Sequence, residues 1–320
     1  MTKNLITDIA GLKIGNAHDE RVRTGVTVIL PDEAALCAVD VRGGGPGTRE
    51  TDLLSGDSMV ERVHALVLSG GSVYGLAAAD AVTAALGAKG IGYRAAPAPV
   101  PVSPIVPSAI LFDNANGGDK DWGMEPPFAA LGRQALKNAA RTFDLGQAGA
   151  GYGATAGLYP GGLGSASETV GAITVSALIA ANPVGSPFMP GTDCYWAWMY
   201  EKDGEFGGRR PPIDYHYKPA RDTKLEFLKA AGASTVIGVV AVDAVLNQKE
   251  LRRLAIMAQD GIAMAVQPAH TPLDGDTIFA LSIGDKPMPD PRPVQLAELG
   301  AAAARCVARA LSRGVYEAGR

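Results

Sequence analysis

The feature that most constrains this 320-residue chain is a repeated pattern of short, apolar, β-branched runs that end in glycine-rich loops. Residues 65–69 (Ala-Leu-Val-Leu-Ser) run into Gly70-Gly71-Ser72-Val73-Tyr74-Gly75, and residues 170–179 run into Ala180-Ala181-Asn182-Pro183. Runs without polar alternation belong to strands covered on both faces, and glycine lets backbone line whatever lies at their ends. The 40 glycines and 22 prolines cluster in this way and show no repeat. That suits a globular α/β protein better than a low-complexity chain.

Composition removes several classes of function. With 47% hydrophobic and 19% charged residues the chain is not disordered, and a net charge of −4 offers no footprint for nucleic acid. No run approaches the roughly 18 apolar residues of a membrane span, and residues 1–8 lack the apolar core of a signal peptide. Cys37, Cys194 and Cys306 form no CxxC pair, and His18, His64, His216 and His270 show no ligand spacing. The expectation is a soluble, cytoplasmic protein that needs no metal or cofactor, and 320 residues allow one large domain or two smaller ones, of which the family resemblance drawn below implies one.

Taken in order, residues 26–30 and 35–41 read as a hairpin joined by Pro31-Asp32-Glu33. The loop Arg42-Gly43-Gly44-Gly45-Pro46-Gly47 could cradle an anion with its N–H groups or serve as a tight connector, and it lacks the phosphate-loop pattern. Ser72 is a candidate nucleophile in form only, because Gly-Gly-Ser-x-Tyr-Gly is not a nucleophile elbow. The proline-studded segment 97–108 reads as a rigid connection or pocket wall. Residues 149–157 could pass for a dinucleotide loop, yet no apolar strand precedes them. Gly161-Gly162-Leu163-Gly164-Ser165 reads as a second glycine loop, 188–220 as an exposed, mobile insertion, and 248–266 and 294–311 as helices.

The chemistry concentrates around Thr235. A small-residue run, 230–234, stops at Thr235, which opens the β-branched run 235–242. Asp274-Gly275-Asp276 stands just before a second apolar strand, 277–281, and Asn182 ends the strand 170–179. A hydroxyl at a strand edge beside two carboxylates could make a catalytic centre, with the Asn182 amide as an oxyanion donor. A strand start, an Asp-Gly turn and a pre-proline turn residue account for the same pattern.

Several motifs together resemble one family. They are Ile6-Thr7-Asp8-Ile9-Ala10-Gly11, Asp40-Val41-Arg42-Gly43-Gly44-Gly45-Pro46-Gly47-Thr48-Arg49-Glu50-Thr51-Asp52, Leu68-Ser69-Gly70-Gly71-Ser72-Val73-Tyr74-Gly75, Gly161-Gly162-Leu163-Gly164-Ser165-Ala166 and Asp274-Gly275-Asp276. The chain is identified as a member of the DmpA-type aminopeptidase and NylC-type nylon-oligomer hydrolase family, and is most similar to the nylon-hydrolase branch. The resemblance implies a four-layer α/β/β/α sandwich that cleaves its own backbone and a homo-oligomer, a tetramer in this family. Matched motif to motif, cleavage falls between Ser234 and Thr235, giving fragments 1–234 and 235–320 with Thr235 as the N-terminal nucleophile. Asp274 and Asp276 become the carboxylate pair and Asn182 the strand-end amide. The implied substrates are linear amides such as 6-aminohexanoate oligomers or short peptides; an ornithine-acetyltransferase-like acyl transfer shares the same logic. One departure stands out: nylon hydrolases carry a lysine after the Gly-Ala-Gly-x-Gly-Ala-Thr-x-Gly run, where this chain has Leu158.

Overall fold

The apolar runs become two stacked sheets in the computed structural model, which describes residues 2–226 and 234–320. In chain order the strands begin with β1 (Leu12–Asp19), β2 (Thr24–Pro31), β3 (Ala35–Val41), β4 (Thr48–Arg49), β5 (Arg62–Val63), β6 (Leu66–Ser69) and β7 (Ser108–Ile110). They continue with β8 (Thr155–Ala156), β9 (Tyr159–Pro160), β10 (Gly162–Val170), β11 (Ile173–Asn182), β12 (Thr235–Ala244) and β13 (Thr277–Lys286). The longer helices are α1 (Ala77–Gly87), α2 (Phe128–Lys137), α3 (Gln248–Ala265) and α4 (Arg292–Ala318). One sheet has the order β1-β2-β6-β7-β4, the other β10-β11-β12-β13-β3-β5, and β8 pairs with β9 alone.

Three apolar clusters set the layers. Leu66, Leu68, Leu178, Ile237, Val239 and Phe279 fill the space between the sheets. Val26, Val28, Val67, Val82 and Phe128 join the first sheet to α1 and α2, while Val240, Leu254, Ile262, Val307 and Leu311 join the second to α3 and α4. The order is therefore α/β/β/α, as the resemblance implies. Strand β12 shows why its run lacks alternation: Ile237, Val239 and Ala241 face the inter-sheet core, and Val236, Val240 and Val242 face the helices. Each valine or isoleucine among them contributes about 1.5–3 kcal/mol on burial. Helix α3 begins at a capping box, Asn247 accepting the Glu250 N–H at 3.0 Å, and buries Leu251, Leu254, Ala258 and Ile262 along one stripe.

Three readings of the sequence change. Strands β2 and β3 are no hairpin: β2 pairs with β1 and β6 in one sheet, β3 with β13 and β5 in the other. Both are buried along nearly all of their length, so partners distant in sequence outcompete the local one. The segment 161–165 is mostly strand β10, and its glycines serve packing. A Cβ on Gly164 would stand 1.8 Å from the Ala310 carbonyl oxygen, and one on Gly162 would stand 2.2 Å from that of Gly314, so α4 lies directly on the strand. The 188–220 segment is pinned in its first part, where Tyr195, Ala197 and Phe206 enter the core and Glu205 pairs with the buried Arg309 at 2.5 Å, whereas residues 207–220 are mostly exposed.

Register brings the chemistry together. Asn182 stands opposite Thr235, Ile237 opposite Thr277, and Thr277 opposite Val41. The ends of β3 and β11 and the starts of β12 and β13 thus meet at one end of the strands in the middle of the second sheet.

The close approach of α4 yields a stability test. Gly164→Ala should lower unfolding stability by about 3 kcal/mol or more, since backbone must move to admit the methyl. Gly87→Ala, whose Cβ would meet Pro104 at an ordinary 3.6 Å, should be neutral or stabilising by up to about 1 kcal/mol. Chemical denaturation of both variants checks the contrast.

Candidate active site

Thr235 and the residue before it are clamped as if they were a bound strand. Ser234 forms a parallel bridge with Asp274: its N–H donates to the Leu273 carbonyl at 2.9 Å, and its own carbonyl oxygen accepts the Gly275 N–H at 2.8 Å. The Thr235 hydroxyl donates to that same Ser234 oxygen at 2.5 Å. Both residues are buried. A buried carbonyl that takes two hydrogen bonds is polarised, and the second donor is the hydroxyl of the next residue.

The Asp274-Gly275-Asp276 turn that supplies the first donor is held by the glycine loop after β3. Arg42 and Gly43 donate to the Asp276 carbonyl at 2.9 and 3.3 Å, Gly45 to that of Asp274 at 2.8 Å, and Gly44 to that of Thr271 at 3.3 Å. Those N–H groups are occupied, so the loop braces a turn and does not cradle an anion. A Cβ on Gly43 would stand 2.3 Å from the Asp274 oxygen and the Asp276 nitrogen. On Gly275 it would stand 2.8 Å from the Thr235 hydroxyl oxygen and 2.7 Å from the Gly45 oxygen. Glycine at both positions is a steric requirement.

The two carboxylates hold backbone around the threonine. Asp274 accepts from Val184 N–H at 3.0 Å through Oδ1, and from the Thr271 N–H and hydroxyl at 3.0 and 2.6 Å through Oδ2. Asp276 accepts the Val236 N–H at 2.8 Å through Oδ1 and meets His270 Nδ1 at 2.7 Å through Oδ2. Burial and then the charge of Asp276 push the Asp274 carboxyl above its ordinary range, against the opposing hydrogen bonds from Thr271 and Val184. Asn182, opposite Thr235, gives its amide N–H to the Phe112 carbonyl at 2.8 Å and accepts the Thr155 N–H at 2.9 Å. In the intact chain that donor points away from the Ser234 carbonyl, which Gly275 serves instead.

Two further ionisable residues stand at this site. Lys224 Nζ lies 3.1 Å from both the main-chain and side-chain oxygens of Asn182. Burial lowers its pKa to about 7, against the pull of Asp274. The Leu158 N–H donates to the Asp222 carbonyl at 3.1 Å, so the segment carrying Lys224 runs beside Leu158 and brings a cation from elsewhere in the chain. Nothing near residue 224 in the sequence signals this. His270 stands six residues before Asp276, and in the sequence it is an isolated histidine that carries no pattern. Burial disfavours its protonation, yet the hydrogen bond and charge of Asp276 outweigh burial and the nearby Arg42, and raise its pKa. Ser72 takes a left-handed backbone, φ 54°, beside Asp113 and outside this constellation. Among the described residues no group of three His, Cys, Asp or Glu could hold a metal ion, and no helix is long and apolar enough to cross a membrane.

Residues 4–320 match peptidase family S58. The chain belongs to that family. It is 41% identical over 337 residues to an uncharacterized aminopeptidase of Mycobacterium tuberculosis, covering 98% of this chain and 94% of that protein. It is 33% identical over 289 residues to the 6-aminohexanoate-oligomer endohydrolase of a Kocuria species, covering 88% of this chain and 76% of that protein. Among solved structures, a Burkholderia β-aminopeptidase superposes with a TM-score of 0.68 at 21% identity, over 97% of this chain and 86% of that one. The L-aminopeptidase D-Ala-esterase/amidase of Ochrobactrum anthropi, a variant of the Ntn-hydrolase fold, gives 0.68 at 22%, over 97% and 85%. These likenesses place this S58 chain on that fold, and the family makes it an amide-bond hydrolase.

The His270–Asp276 pair has a pH signature. A histidine whose folded pKa is raised contributes stability below its unfolded value of roughly 6.5 and loses it as pH rises through the folded value. Wild type should exceed His270→Gln in unfolding stability by on the order of 1.5 kcal/mol at pH 5.5. The gap should close toward pH 9, as read from denaturation midpoints across that range.

Proposed function

We propose that the chain is an amidase activated by cleaving its own Ser234–Thr235 bond, after which Thr235 is the nucleophile. The observation that carries this reading is the Ser234 carbonyl oxygen, 2.5 Å from the Thr235 hydroxyl and 2.8 Å from the Gly275 N–H. The second distance lies within the 2.7–3.1 Å at which a donor stabilises a developing oxyanion.

In the first reaction Thr235 Oγ1 bonds to the Ser234 carbonyl carbon. The C–N bond breaks and the hydroxyl proton ends on the released amine. Water then hydrolyses the ester and frees the Ser234 carboxylate. The amine has an unperturbed pKa of roughly 7.7–8.0 and becomes the base for its own hydroxyl in later turnovers. Asp274, whose carboxyl burial and the charge of Asp276 push above its ordinary range, and Asp276 hold the turn and the start of β12 in register. Asn182, fixed by Thr155 and Lys224, supports the opposite side. Amide substrates acylate Thr235 and water releases the acyl group. The oligomeric state that the resemblance implies, a homotetramer, belongs to this proposal as well.

Thr235→Ala should give a folded, single-chain, inactive protein, and Thr235→Ser should keep part of both activities. Gly275→Ala should block cleavage, because its methyl would displace the attacking oxygen. Asp274→Asn and Asp276→Asn should each slow cleavage and turnover together by about 100-fold or more, the scale of losing one fixed stabilising group. Denaturing gels against time, with amide hydrolysis followed in parallel, read both. Full activity in either aspartate variant would reduce the pair to an ordinary turn.

A further inference from the structure

We infer that His270 is a positioning residue for the attack of Thr235: its charged ring fixes the negative charge on Asp276, and Asp276 holds the Val236 N–H, the amide just after the nucleophile. The inference rests on the Thr235 reading above. Asp276 accepts the Val236 N–H on Oδ1 at 2.8 Å. On Oδ2 it meets the His270 ring nitrogen Nδ1 at 2.7 Å and accepts the His270 main-chain N–H at 3.2 Å. One carboxylate thus ties the start of β12 to residue 270. Its side chain is 1% exposed and that of His270 23%, so the charge lies dry while its partner meets water. A charge so buried is stable only when paired.

The turn carries two carboxyls, and the histidine decides which of them holds the charge. Asp274 faces the neutral donors of Val184 and Thr271, whereas Asp276 faces an imidazole. The other cations of the site have different partners. Arg42, at the end of β3, gives its Nε to Asp40 at 2.6 Å, and Lys224 bonds the oxygens of Asn182. Helix α3 meets the ring through the Gln259 main chain. His270 takes a left-handed backbone, φ 53°, which asparagine also adopts readily. Asparagine at 270 keeps a side-chain donor without the positive charge, and glycine removes both without backbone strain.

The test times self-cleavage of the full-length chain, collected in denaturant after cell-free translation. The chain is refolded into buffers from about pH 5 to about pH 9, the range in which histidine titrates. Circular dichroism checks the fold of each variant. A positive neighbour favours the ionised carboxylate, so without that charge the reaction should fail sooner as pH falls. The acid limb of His270→Asn should lie about one pH unit or more above that of wild type. Near pH 9 the wild-type ring is neutral as well, and the two rates should agree within about threefold. His270→Gly should be slower by about tenfold or more at both ends, the scale of a hydrogen bond to a charged group. In an Asp276→Asn background, His270→Asn should change the rate by less than about twofold, because its route of action is gone. Coincident acid limbs, or a loss of equal size at every pH, would reduce His270 to packing and leave the Thr235 reading intact. A further loss in the Asp276→Asn background would contradict action through Asp276. A wild-type chain that refolds and never cleaves removes the Thr235 reading and this inference with it.

Discussion

The hydrogen bond from the Gly275 N–H to the Ser234 carbonyl, 2.8 Å long, is the contact on which the rest of the site depends. It exists because three N–H groups of the loop after β3 fasten the Asp274-Gly275-Asp276 turn and a fourth holds Thr271 beside it. It is aimed correctly because β12 and β13 are parallel neighbours in register, Ile237 against Thr277. The register is in turn fixed by burial on both faces of β12, where a one-residue slip would exchange the side chains of two cores. A strand buried along nearly all of its length thus holds one peptide bond against one backbone donor.

Charge is arranged around that bond in a ring rather than in direct contact with the hydroxyl. Asp276 is engaged by His270 and the Val236 N–H, Asp274 by Thr271 and Val184, and Asn182 by Lys224. Two carboxylates close together in a dry place disfavour joint ionisation, and the raised Asp274 carboxyl reflects this. Lys224 and His270 stand in the same ring, one against Asn182 and the other against Asp276.

The buried strands were readable because they follow from patterns local to each segment, whereas the four-layer order and the proposed site residues came with the family resemblance. Continuous β-branched runs specify buried strands, Thr235 opens one of them, and the Asp-Gly-Asp triplet precedes another. What escaped reading depends on contacts between distant segments. Strand β2 paired across the sheet with β6 in place of β3, since burial of both faces carries no record of which partner wins. The glycines of β10 passed for a loop, because only the approach of α4 explains them. Asn182 was legible as a strand-end amide, but not its commitment to Phe112, and the donor on the Ser234 carbonyl is a backbone group that no residue type advertises.

The most direct measurement is the intact mass of the purified wild-type protein, with N-terminal sequencing of the smaller species. The account predicts two species, residues 1–234 and 235–320 of the chain, whose masses sum to the precursor plus one water, with threonine at the new N-terminus. A stable single chain in an actively hydrolysing preparation would contradict it. A smaller fragment that begins with Ser234 would move the nucleophile by one residue and strip Thr235 of its role.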